Sequence, residues 1–176
     1  MPSRAAGRAH SRKCVIGSRG HAPEASDRPT RSAVRRDAAG QKIVDAYCGV
    51  GLHARRLANA GAEVVGIELD PHAAAEAARG GVRIVEDTVE SALPAALPAD
   101  LVILNPPRGG VDPLVIAALV QTPPPRIIYV SCDPATLARD ISRLRDFYAL
   151  TSVRCFDLFP QTTHVETVVE LTCSIT

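Results

Sequence analysis

From Gln41 onward, apolar residues fall into short runs separated by turn formers; before it they follow no sustained period. "KIVDAY" predicts a buried strand, and "GLHARRLANAG" a helix ending near Gly61. "AEVVGIEL", "VRIVED", "ADLVILN" and "PRIIYVS" predict the second to fifth strands. Three helices open with Asp-Pro, at Asp70-Pro71, Asp112-Pro113 and Asp133-Pro134. In this pairing the carboxylate caps the free amides and proline occupies the first helical position, where no donor is needed. The last of these helices is expected to carry Leu137, Ile141, Leu144 and Tyr148 along one face. "ALTSVRCFDLF" and "HVETVVELTCSI" close the chain as two strands with no helix between them.

Alternating strands and helices imply an α/β chain with a mostly parallel, doubly wound sheet of seven strands and helices on both faces. The closing pair implies an antiparallel β-hairpin at the C-terminal end. Ligands of such sheets bind at the carboxyl ends of the strands. "DAYCGVG", "GIELD", "LNPPRGG" and "YVSCDP" all fall at such ends, so four motifs are expected to share one rim.

Charge divides the chain at the same place as periodicity does. Residues 1–37 carry nine Lys/Arg against three Asp/Glu, and residues 38–176 carry eleven against sixteen. The first segment reads as a basic tail, disordered or non-native, with a transit peptide as an alternative. Residues 38–176 read as one folded domain. That domain is mildly acidic, which is not the footprint of an autonomous nucleic-acid binder. With three Phe, three Tyr and no Trp, binding of single strands mainly by stacking is also disfavoured. Cysteines 14, 48, 132, 155 and 173 form no CxxC pair and no zinc-ligand spacing, so no metal is expected. An odd, scattered set of thiols fits a reducing, cytoplasmic setting. No apolar stretch reaches the length of a membrane span.

The rim motifs suggest chemistry. Gly49 and Gly51 let the backbone approach a ligand closely in front of a helix N-terminus. Glu68, at the end of a strand, suits the two hydroxyls of a ribose. Read as G-x-G-x-x-A, the same turn also fits a dinucleotide fingerprint, which keeps a dehydrogenase open. In "LNPPRGG" two prolines fix the backbone and hold Asn105 in place. Asn-Pro-Pro would suit methylation of an exocyclic amine if an aromatic followed, but Arg108 stands there. Cys132 precedes a capped helix, whose dipole favours an anion beside it, with Asp133 opposing. Cys48, Cys155 and Cys173 lack that placement and read as packing. Glu166, after a proline turn and His164, could serve as a general base.

Together, "DAYCGVG", "GIELD", "NPPRGG", "SCDPATLARD" and "FPQTTHVE" resemble the RNA uracil-5-methyltransferase family in order and spacing, over about residues 41–176. The resemblance implies the Rossmann-like methyltransferase fold and S-adenosyl-L-methionine as cofactor. It implies a uridine in tRNA or ribosomal RNA as substrate, with no iron–sulfur cluster, since the cysteines that some members use for one are missing. It implies Cys132 as the nucleophile towards carbon 6 of uracil and Glu166 as the base that removes the carbon-5 proton. Tyr47, Glu68 and Asn105 would contact the cofactor, Gly49 and Gly51 would shape its turn, and Asp87 would lie on the adenine side. Asn105 stands where the family usually has aspartate. The resemblance covers the catalytic domain alone, without the RNA-binding barrel and central substrate domain of many members. An inactive remnant that binds cofactor or RNA, and an amine-directed methyltransferase, are the alternatives.

Overall fold

Runs such as "LVIL" and "RIIYV" are apolar on both faces, so strands built from them need cover on both sides. The computed structural model describes residues 38–157 and 165–174 and arranges seven strands in one sheet. They are β1 (Lys42–Ala46), β2 (Glu63–Glu68), β3 (Arg83–Glu86), β4 (Leu101–Leu104), β5 (Arg126–Ser131), β6 (Tyr148–Phe156) and β7 (Glu166–Cys173). Five helices connect them: α1 (Leu52–Asn59), α2 (Pro71–Ala78), α3 (Val89–Ala96), α4 (Pro113–Gln121) and α5 (Pro134–Leu144). Segment 1–37 and His164 lie outside the described residues.

The strand order is β3-β2-β1-β4-β5-β7-β6. The first five strands run parallel, and β7 inserts antiparallel between β5 and β6. The expected α/β sheet and C-terminal hairpin are both present. Because β7 runs backwards, its first residue lies at the same edge as the carboxyl ends of the parallel strands. Side chains alternate across the sheet into two cores. Val44, Leu104 and Tyr129 pack with Leu93 of α3, Leu119 of α4 and Leu144 of α5. Ile43, Ile103 and Ile128 pack on the other face with Ala54 and Leu57 of α1.

All three Asp-Pro caps form. Asp70 accepts from the Ala73 amide at 2.8 Å, and Asp112 from Leu114 at 2.8 Å. Asp133 accepts from both Ala135 and Thr136 at 2.9 Å. These bonds satisfy amides that open each helix and leave each strand-to-helix junction fixed.

Two features depart from the pattern. Tyr148 opens β6 instead of extending the apolar face of α5, which ends at Leu144. The Phe147 amide turns back onto the Leu144 carbonyl at 3.0 Å, and Tyr148 pairs with Cys173. Helical spacing carries on arithmetically through residue 148, but the turn and the sheet take that residue. The second feature is α3, in "VESALPAA", where Pro94 lies inside the helix. Proline removes one helical donor. Here Val89, Ala92, Leu93 and Ala96 all bury one apolar face, and that burial outweighs the missing bond.

Candidate active site

The turn after β1 is built from left-handed residues: Tyr47 at φ 61°, Gly49 at φ 55° and Gly51 at φ 76°. Tyrosine is uncommon in this region. The Gly49 amide donates to Glu68 Oε2 at 2.8 Å, and the Asp70 amide donates to Oε1 at 2.8 Å. One carboxylate thereby ties the ends of β1 and β2 together. Gly51 packs against α2 so closely that a Cβ would come within 2.8 Å of Ala77 Cβ.

Beside this turn opens a cavity of about 750 Å³. Tyr47, Glu68, Asp87 and Asn105 line it, together with Pro107, the stretch from Gly109 to Pro113, and Arg139 and Arg143. Its volume lies in the range of small-molecule and cofactor sites. Asp87 accepts from the Thr88 amide at 2.7 Å and from Ser91 Oγ at 3.0 Å, at the start of α3. The Asn105 amide donates to the Ala46 carbonyl at 3.3 Å, holding its loop beside β1. Burial, with the nearby charges of Glu90, Asp112 and Asp140, pushes the Tyr47 phenol up to about 12, so it stays a neutral donor. Four of the six expected cofactor residues line this cavity. Gly49 and Gly51 are outside its lining and shape the turn behind it.

Cys132 and Glu166 also lie outside that lining, at the same edge of the sheet. The β5–β7 ladder ends with Ser131 opposite Thr167. Cys132 directly follows Ser131, and Glu166 directly precedes Thr167, so both stand next to the last ladder pair at this edge. Cys132 is half-buried, directly before the Asp133 cap. The buried Ser131 hydroxyl accepts from the Asp133 amide at 3.0 Å and donates to the Asp133 carbonyl at 2.9 Å, clasping the backbone on either side of Cys132. Among the other described thiols, Cys48 is buried, while Cys155 and Cys173 are half-buried in β6 and β7. Burial, then Asp45 and Glu68, push the Cys48 thiol up to about 12, so it remains protonated.

Three residues at this edge escaped the sequence reasoning. Ser131, the clasp, shows no signal beyond its place in the motif. Asp45, in "DAYCGVG", is fully buried, and neither carboxylate oxygen has a hydrogen bond of good geometry among the described residues. Burial raises its pKa to about 6, against the pull of His53 and the Ala54 amide. Asp140 is fully buried as well, yet well bonded. Its signal was available: on α5 it falls between Leu137 and Leu144 on the apolar stripe, where a carboxylate needs a reason.

Among the described residues, no group of three or more His, Cys, Asp or Glu is placed to hold a metal ion. None of their helices is long and apolar enough to cross a membrane.

A sequence model of the tRNA (uracil-5-)-methyltransferase family matches residues 95–174, the stretch that carries Asn105, Cys132 and Glu166. This chain belongs to the RNA uracil-5-methyltransferase family. Relatives described as uncharacterized RNA methyltransferases include one from Gloeobacter violaceus, 45% identical over 74% of this chain and 30% of its own length. Another, from Thermosynechococcus vestitus, is 44% identical over 76% of this chain and 32% of its own. The chain thus spans about a third of the length of these relatives. Among solved structures, the Pyrococcus abyssi tRNA (uracil-54, C5)-methyltransferase, in complex with S-adenosyl-L-homocysteine, superposes with a TM-score of 0.72. It is 31% identical and covers 82% of this chain and 37% of its own. A further structure, from Pyrococcus horikoshii, gives a TM-score of 0.65 at 15% identity and attests to the fold alone.

Proposed function

We propose that residues 38–176 form the catalytic domain of an enzyme that transfers a methyl group from S-adenosylmethionine to carbon 5 of a uridine in tRNA or ribosomal RNA. The observation that carries this reading is that Cys132 and Glu166 flank the last β5–β7 pair, Ser131 and Thr167, at the sheet edge that also holds the cavity. A candidate nucleophile and a candidate base are thus next to one ladder pair, though no local motif connects them.

The cavity suits the cofactor's nucleoside. Each Glu68 oxygen accepts one backbone amide and keeps a lone pair for a ribose hydroxyl. Asp87 would lie on the adenine side, and Tyr47 and Asn105 would complete the walls. Gly49 and Gly51 act from behind, by holding the turn that aims Glu68. When bound, S-adenosylmethionine supplies an electrophilic methyl group on a sulfonium.

Carbon 5 of uracil is a weak nucleophile and needs activation. The Cys132 thiolate adds to carbon 6, forming a carbon–sulfur bond and moving the ring's electron pair into an enolate with charge at carbon 5. Carbon 5 would then bond the methyl carbon as the methyl–sulfur bond breaks, its electron pair going to sulfur to leave S-adenosylhomocysteine. Glu166 removes the proton left on carbon 5, the 5,6 double bond re-forms, and the thiolate departs. The thiol is soft enough to attack and stable enough to leave, whereas a serine alkoxide would be a poor leaving group.

The test is a covalent adduct. The chain is incubated with S-adenosylmethionine and 5-fluorouracil-substituted tRNA or ribosomal RNA transcripts, then run on a denaturing gel. Fluorine at carbon 5 cannot leave as a proton, so the adduct should persist with the wild type and vanish in Cys132→Ala. Cofactor binding without adduct or transfer on any transcript would favour the inactive remnant. Methyl transfer to an exocyclic amine would favour the amine-directed alternative.

A further inference from the structure

Asp140 has no exposed surface, and its two oxygens collect four donors from three parts of the fold. Oδ2 accepts from the Val111 amide at 3.0 Å and from the Tyr129 hydroxyl at 2.8 Å. Oδ1 accepts from Arg139 Nε at 3.0 Å and from Arg143 at 3.4 Å. Arg139 reaches on to the Gly109 carbonyl at 2.8 Å, so the loop after β4 is held at two points. Gly110, at φ 79°, lies so close that any Cβ there would run into Arg139 and Asp140. Gly109, Gly110, Val111, Arg139 and Arg143 all line the cavity.

Packing alone does not call for a carboxylate at this position. Leucine or isoleucine would continue the apolar stripe, and a buried charge is costly unless fully bonded. What an apolar residue would lack is the bond to the Val111 amide. That bond crosses from the helix behind Cys132 to the loop that begins at Asn105.

We infer that Asp140 is a positioning residue for methyl transfer: it locks the Asn105–Val111 loop, and with it one wall of the cofactor cavity, onto the helix that carries Cys132 at its head. Through Tyr129 it also anchors both to β5. The rigid unit so formed sets where the bound cofactor stands relative to the nucleophile. This assignment rests on the reading of the cavity as the S-adenosylmethionine site.

Asp140→Asn tests it with little change of shape. Whichever way the amide is turned, its NH₂ faces a donor it cannot satisfy: Val111 N–H on one side, the arginines on the other. Hydrogen exchange on the ligand-free chain should show the amides of residues 109–111 exchanging at least tenfold faster, with the core of β4 unchanged. The dissociation constant for S-adenosylhomocysteine should rise tenfold or more, and kcat/KM for S-adenosylmethionine should fall at least as much. Tyr148→Phe, which removes a buried hydrogen bond to the Leu119 carbonyl, serves as control. It should lower the unfolding midpoint while leaving the dissociation constant within twofold. Should Asp140→Asn fail to fold, Gly110→Ala, which wedges the loop off the intact carboxylate, should give the same loosening and the same loss of affinity. Unchanged exchange at 109–111, or unchanged affinity despite a lowered midpoint, would overturn the assignment. Failure of the wild type to bind S-adenosylhomocysteine would sink the cofactor reading and the positioning role with it. That result is separately visible, because the exchange measurement needs no ligand.

Discussion

Glu68 holds the glycine turn that precedes it by nineteen residues: its Oε2 accepts from the Gly49 amide at 2.8 Å. The residue expected to recognise a ribose also fixes the backbone of the turn beside it. Glu68→Gln keeps the shape but replaces one acceptor with a donor facing an amide. A hydrogen bond to a charged group contributes about 1.5–3 kcal/mol. Affinity for S-adenosylhomocysteine, measured by calorimetry, should therefore fall about 10- to 100-fold.

Cys132 and Glu166 should separate by when they act. Cys132→Ala should abolish adduct formation on 5-fluorouracil RNA yet bind S-adenosylhomocysteine as the wild type does. Glu166→Gln should still attack and methylate, then stall, because elimination needs the carbon-5 proton gone. With unmodified RNA, this variant should accumulate a denaturation-resistant complex containing methyl label. A Glu166→Gln enzyme that turns over normally would remove Glu166 from the mechanism.

Asp45 makes stability depend on pH. Its folded pKa of about 6 is above the ordinary aspartate value of 3.8. Between those values the folded chain holds a proton that the unfolded chain releases, so stability falls as pH rises through the window. The loss is complete above the folded value and absent below the unfolded one. Asp45→Asn removes the cost of ionisation. Urea unfolding should show the variant more stable by up to about 3 kcal/mol at pH 8 and little changed near pH 3.5.

Gly51→Ala meets two obstacles, a φ of 76° and a Cβ 2.8 Å from Ala77 Cβ. A non-glycine residue in that region costs about 1–3 kcal/mol. The unfolding midpoint in urea should drop accordingly. Gly49→Ala meets an open space and a φ of 55°, so its loss should be smaller.

Much of this molecule is legible along the chain because its signals are local. Strands β1 to β5 are four to six residues long, each built around an apolar stretch, and three helices declare their starts by Asp-Pro. α3 was hidden by Pro94, whose cost is local while the burial that offsets it comes from the sheet beneath. Tyr148 was misplaced because helical spacing does not register the turn that ends α5.

By itself the sequence determined that four motifs would meet at one rim, since every strand-to-helix junction of a parallel sheet points the same way. It also named the candidate nucleophile, base and cofactor residues. Only the tertiary structure decided how they are held. Cys132 and Glu166 come to the same end of the β5–β7 ladder because β7 pairs antiparallel with β5, which strand composition does not specify. Asp140 reaches Val111 across twenty-nine residues because β4 and β5 are neighbours in the sheet. Asp45 is deprived of water because β1 lies inside the sheet, between β2 and β4, and is covered on both faces. Periodicity is set by each residue's near neighbours; register, burial and long-range bonds depend on which elements pack together, and they appear only once the sheet has closed.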